Sequence, residues 1–72
     1  MGTRTYNSKA EFERLNPYVI VNFSEYEPAS IIANCSCKKS AENELLRIGG
    51  GEVMTRNRAE KEIKDWNERR NF

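Results

Sequence analysis

Cys35 and Cys37 are separated by one residue, a spacing that can hold a metal or close a small disulfide. A structural zinc site takes four ligands, mostly thiolate and imidazole. The chain has two cysteines and no histidine, so four ligands would require a second copy. The plainer reading makes both cysteines small apolar residues of a core. No metal and no cofactor is expected. The missing histidine also removes the commonest general base near neutral pH. Ser-His and Cys-His nucleophile pairs are ruled out for the same reason. The chain is therefore expected not to be an enzyme.

Gly49-Gly50-Gly51 resembles a phosphate-binding loop only in its glycines. A P-loop continues into Lys and Ser or Thr and opens a helix. Here Glu52 and Val53 follow, and the triplet comes after a helical segment. Helix C-termini repel anions, so the triplet reads as a helix stop and a turn.

Glu25 and Glu27 flank Tyr26. A carboxylate pair does acid–base work when burial raises one of its pKa values, but 24–28 reads as a polar loop. Recognition suits these residues better. Tyrosine is enriched at binding hot spots, and two carboxylates would steer it towards a basic partner. The competing candidate is a cluster of Arg56, Arg58 and Arg69 beside Trp66, which could contact nucleic acid. Those arginines are interleaved with Glu60, Glu62, Asp65 and Glu68. That dilutes a phosphate-tracking stripe, and a solvated, salt-bridged helix face is the plainer reading.

The elements that must position these residues follow from local pattern. Ser8-Lys9-Ala10-Glu11 is a capping box and predicts a helix over 9–15, ended by Pro17, which disfavours helical backbone at Asn16. Residues 18–23 are β-branched and aromatic, a strand signal. Val19, Val21 and Phe23 should share one face, and Tyr18, Ile20 and Asn22 the other. A second strand is expected over 30–37, with Ile31, Ala33, Cys35 and Cys37 on one face. A helix there is the rival reading, disfavoured by the Ser, Asn and Cys content. Ser40 as N-cap predicts a helix over 41–48 that buries Ala41, Leu45 and Ile48. A short strand over 52–55 follows. Asn57 as N-cap opens a last helix over 58–70, with Ala59, Ile63 and Trp66 within one arc.

The order α-β-β-α-β-α describes a small α+β domain spanning 1–72, with two to three short helices packed mainly on one face of a three-stranded sheet. The strand–helix–strand unit should cross over right-handed, placing the strands in spatial order 2-1-3. If no helix covers the outer sheet face, Tyr18, Ile20 and Ile32 would expose an apolar patch of the kind that marks an interface.

Basic and acidic residues nearly balance, 12 against 11, whereas nucleic-acid binders usually show a clear basic excess. The excess here is confined to 56–72, with six basic and four acidic residues. No apolar run reaches the length of a membrane span. The first residues lack a secretory apolar core, and Tyr6 stands where a myristoylation pattern wants Ser or Thr. A cytoplasmic protein with reduced thiols is expected, as a monomer or homodimer. Its functional reading is a small protein-binding module, a regulator or inhibitor of a larger complex of the viral or mobile-element type. The contact residues would be Tyr18, Ile20, Glu25, Tyr26, Glu27 and Ile32. A nucleic-acid accessory using Arg56, Arg58 and Arg69 is the alternative.

Overall fold

Val19, Ile20 and Val21 are all fully buried. A strand whose consecutive residues are buried must be covered on both faces, and this decides the architecture. The computed structural model describes residues 8–72. Its elements are α1 (Lys9–Leu15), β1 (Tyr18–Asn22), β2 (Ser30–Cys35), α2 (Lys38–Ile48), β3 (Glu52–Thr55) and α3 (Arg56–Arg69). The strands form one sheet in the order β2-β1-β3, and β1 pairs antiparallel with both neighbours. β2 and β3 therefore run parallel to each other on either side of β1, joined through α2.

Helices on one face only would leave Ile20 bare, and the two larger helices instead divide the faces. Val19 and Val21 belong to the main core with Ala29, Met54 and Ala59, and Phe23, Ile31, Ile63 and Trp66 pack against it. This is the α3 face. Ile20 points the other way and lies outside that cluster. The helix that reaches all three strands is α2, and its fully buried Ala41 is likewise outside the main core. We assign α2 to the Ile20 face on these grounds. The apolar patch expected there is closed at its centre. Ile20 is fully buried, and only Ile32 of that trio, at 43% exposure, is an exposed residue.

Strict alternation fails in β2. Ile20 pairs with Ala33, but Val21 pairs with Ile31, so Ile32 is an extra residue. The bulge turns Ile31 onto the Val21 side, where it packs against the main core. Cys35, paired with Tyr18, is buried on the opposite side. A one-residue insertion moves everything beyond it to the other face.

Two helices begin earlier than their side chains suggested. α2 starts at Lys38, because the Cys37 sulfur, in place of Ser40, accepts the capping bond from the Ser40 N–H at 3.4 Å. β2 accordingly ends at Cys35 and excludes Cys37. α3 starts at Arg56, because the Thr55 hydroxyl, in place of Asn57, accepts from the Arg58 N–H. Strand β3 thus passes into α3 without a loop. Gly49 ends α2 at φ +84°, as its position after Ile48 suggests.

Candidate functional site

The segment between β1 and β2 carries the Glu25-Tyr26-Glu27 triplet. It has no regular structure, yet α3 holds it at both ends. The Trp66 Nε1–H donates to the Ser24 carbonyl at 3.2 Å. The Ala29 N–H donates to Asn67 Oδ1 at 2.8 Å, and Ala29 itself is buried in the core. Within the loop the Tyr26 N–H donates to Ser24 Oγ at 3.1 Å. Tyr26 is 92% exposed, and Glu25 and Glu27 are exposed beside it. A large aromatic side chain thus stands in water on an anchored loop.

Trp66 links this loop to the core. Its ring lies 5.0 Å from Phe23, centroid to centroid, tilted by 51°. The Arg70 guanidinium lies 3.6 Å from the indole centroid. Next to this aromatic pair is a hollow of about 190 Å³ lined by Phe23, Glu52, Glu62, Asp65, Trp66 and Arg69. None of the residues that line it apart from Trp66 and Arg69 was singled out as a contact in the sequence. Glu62 and Asp65 share one face of α3 with Trp66 and Arg69, Glu52 comes from β3 and Phe23 directly follows β1, and no local pattern joins these three places.

A larger open hollow of about 460 Å³ lies where α1, β1 and the start of α3 meet, and Tyr18 and Arg56 line it. Tyr18 is half-buried there. The Arg56 guanidinium bonds within its own chain through one terminal nitrogen, while its buried Nε has no hydrogen-bond partner among the described residues. It donates to the Asn16 carbonyl at 2.8 Å and to Asn34 Oδ1 at 2.6 Å, and its Cζ lies 5.7 Å from the Phe12 ring centroid. The Arg56 backbone N–H donates to the Pro17 carbonyl at 2.8 Å. Arg56 therefore ties α1, the connection from α1 to β1, and β2 to α3. Its partners lie 40 and 22 residues away in the chain, so nothing near it in sequence signals this role.

The other two arginines pair along α3. Arg58 Nε donates to Glu62 at 3.0 Å, and Arg69 pairs with Asp65. Arg56, Arg58 and Arg69 are thus each engaged within the chain. The same holds for Arg47, paired with Glu44 on α2.

The cysteines occupy unlike environments. Cys35 is buried and Cys37 exposed. Burial is the main influence pushing the Cys35 thiol up, with the Glu44 carboxylate adding to it. The Cys37 thiol is lowered, first by the Ser40 side chain, whose oxygen lies 3.2 Å from the sulfur, and then by the Ser40 N–H. Hydrogen bonds to a thiolate favour the charged form. Among the described residues no cluster of three His, Cys, Asp or Glu is arranged to hold a metal ion. None of the described helices is long and apolar enough to cross a membrane. The chain matches no family model, and no curated protein or solved structure matches it significantly.

Proposed function

We propose that this chain is a small non-enzymatic protein-binding module, a regulator or inhibitor of a larger complex, whose principal contact is the Glu25-Tyr26-Glu27 loop. The observation that carries this reading is the 92% exposure of Tyr26 on a segment whose ends are hydrogen-bonded to α3. A lone exposed aromatic needs no explanation when it sits on a floppy chain. An anchored one does, because a contact residue that is already positioned loses less entropy on binding. Tyrosine carries large apolar area on few rotatable bonds and recurs at hot spots. Ile32 adds a second exposed apolar side chain on the β2 edge, whereas Ile20 is removed from the contact set by its burial.

The nucleic-acid alternative draws less support, since Arg56, Arg58 and Arg69 already satisfy acceptors of the same chain. The test is a comparison of two variant sets against one partner, isolated with the wild-type chain as bait and then purified. Tyr26→Ala is expected to weaken binding by about 1–3 kcal/mol with no change in folding. Charge reversal at Glu25 and Glu27 should mainly slow association and alter its salt dependence. Loss of binding through Arg58→Glu and Arg69→Glu, with Tyr26→Ala silent, would replace this reading with the alternative.

A further inference from the structure

We propose that the open edge of β2 pairs with the β2 edge of a second copy of this chain, antiparallel about a two-fold axis, to form a continuous six-stranded sheet. The pairing needs no other protein, so it holds or fails independently of the reading above. β2 lies at one end of the strand order β2-β1-β3, so one side of its backbone faces no strand. Among the described residues, no backbone hydrogen bond outside the sheet ladder reaches 30–35. A row of free N–H and C=O groups is a template for another strand, and edges are commonly blunted by charge, proline or shortness. β3, the other edge, is four residues long and carries Glu52. β2 is six residues long, Ser30-Ile31-Ile32-Ala33-Asn34-Cys35, with no charge and no proline. Its bulge at Ile32 still leaves Ala33, Asn34 and Cys35 in regular pairing with β1, and hence a regular outer edge there.

The flanking charges select the occupant and its direction. Just before β2 stand Glu25 and Glu27, and just after it Lys38 and Lys39. All four are exposed. Among the described residues none of them is in an ion pair, unlike Glu44, Glu62 and Asp65. An antiparallel pair lays the start of one strand beside the end of the other. The acidic end of β2 in each copy then meets the basic end in its mate, twice over by symmetry. With the axis at the middle of β2, Glu27 stands level with Lys38 of the other copy. Parallel pairing would instead set like charge beside like. Opposite charges across strands are favourable and like ones are not. Nothing within the neutral strand opposes self-pairing, and Ile32, exposed at this edge, gains cover from it. A chain of 72 residues has a small core, and association is a common source of added stability. One six-residue edge is little for a permanent interface, so the dimer should form reversibly.

Sedimentation equilibrium of the full chain alone, at rising concentration, tests this. A reversible monomer–dimer equilibrium is expected, weakened by salt, with amide exchange slowing over 30–35 as the dimer forms. Two charge-reversed chains sharpen the test. Glu25→Lys with Glu27→Lys makes both ends of β2 basic, and Lys38→Glu with Lys39→Glu makes both acidic. All four positions are exposed, so each chain should melt close to the parent. Each alone should dimerise at least about tenfold more weakly than the parent, and an equimolar mixture should recover the pairing as a heterodimer. No association up to about 1 mM overturns the proposal. So does a dimer that both reversals leave unchanged, a mixture that recovers nothing, or exchange protection confined to residues outside 30–35. With no other protein present, none of these results bears on Tyr26.

Discussion

Trp66 joins three roles in one side chain: it packs on Phe23, donates to Ser24 and lies under Arg70. Replacing it with Ala removes ring packing in a small domain and should cost about 3 kcal/mol, the low end for such a change because the ring is only half-buried. Trp66→Phe keeps an aromatic ring but leaves the Ser24 carbonyl without that donor. It should cost about 1 kcal/mol and loosen the Tyr26 loop, visible as faster amide exchange over 24–29. Trp66→Phe that melts with the parent and leaves exchange over 24–29 unchanged would contradict the hydrogen bond's role. The thiols give a second residue-scale prediction. The thiolate is the reactive form, so Cys37, exposed and lowered by Ser40, should react with iodoacetamide well before Cys35. Its rate should rise with pH at a lower midpoint than that of Cys35, which burial pushes up. Ser40→Ala should move the Cys37 midpoint upward. Peptide mapping of singly alkylated protein checks the order. The sequence showed both thiols but placed them on the same strand face. It could not show the bulge at Ile32 or the turn of the chain at Cys37, which set their different fates.

The elements were largely legible because their signals are local. The Ser8 capping box, the β-branched run from Tyr18, Gly49 as a helix stop and the Ala59, Ile63, Trp66 arc all correspond to elements or packing in the structure. The helix starts were less so. Cysteine is not among the usual N-caps, and Thr55 lies at the end of a strand, where a capping role is hidden. A cap contributes about 1 kcal/mol, so Thr55→Ala should lower stability by roughly that amount and shorten α3 at its first turn. The glycine turn supplies a sharper test. Gly51 has φ +115°, and a Cβ there would stand 2.8 Å from Ile20 Cγ2 and 3.1 Å from the Val21 carbonyl oxygen. Gly50 has open space around its Cβ position and no left-handed backbone. Gly51→Ala should therefore destabilise clearly, by about 1–3 kcal/mol, and Gly50→Ala hardly at all. The side chain at risk is Ile20, fully buried at the centre of the sheet. Equal melting temperatures for the two variants would contradict this packing.

At the scale of the molecule, the order of elements and the strand order 2-1-3 were readable because a strand–helix–strand crossover leaves a gap for the first strand. The division of α2 and α3 between the two faces was not. Ile20 looks like its neighbours in sequence, and its burial depends on where a helix twenty residues later is laid. The contact surface is legible to the same degree. Tyr26 stands out locally as an aromatic residue between two carboxylates in a polar segment. The hollow that adjoins its loop is assembled from Phe23, Glu52 and α3, and only the fold brings these together. The arginines looked alike in sequence, yet Arg56 joins α1 and β2 to α3 while Arg58 and Arg69 lie along an exposed face. Arg56→Ala should thus lower stability by about 1–3 kcal/mol, whereas Arg58→Ala and Arg69→Ala should stay within about 0.5 kcal/mol of the parent. We propose that binding runs through the anchored loop. Its most direct measurement is the affinity of one purified partner for the wild-type chain, Tyr26→Ala, and the Arg58→Glu, Arg69→Glu double variant, all shown to be folded. The complex of Tyr26→Ala should be about 5- to 150-fold weaker, with little change for the arginine variant. Undiminished binding by Tyr26→Ala, with binding abolished in the arginine variant, would contradict it.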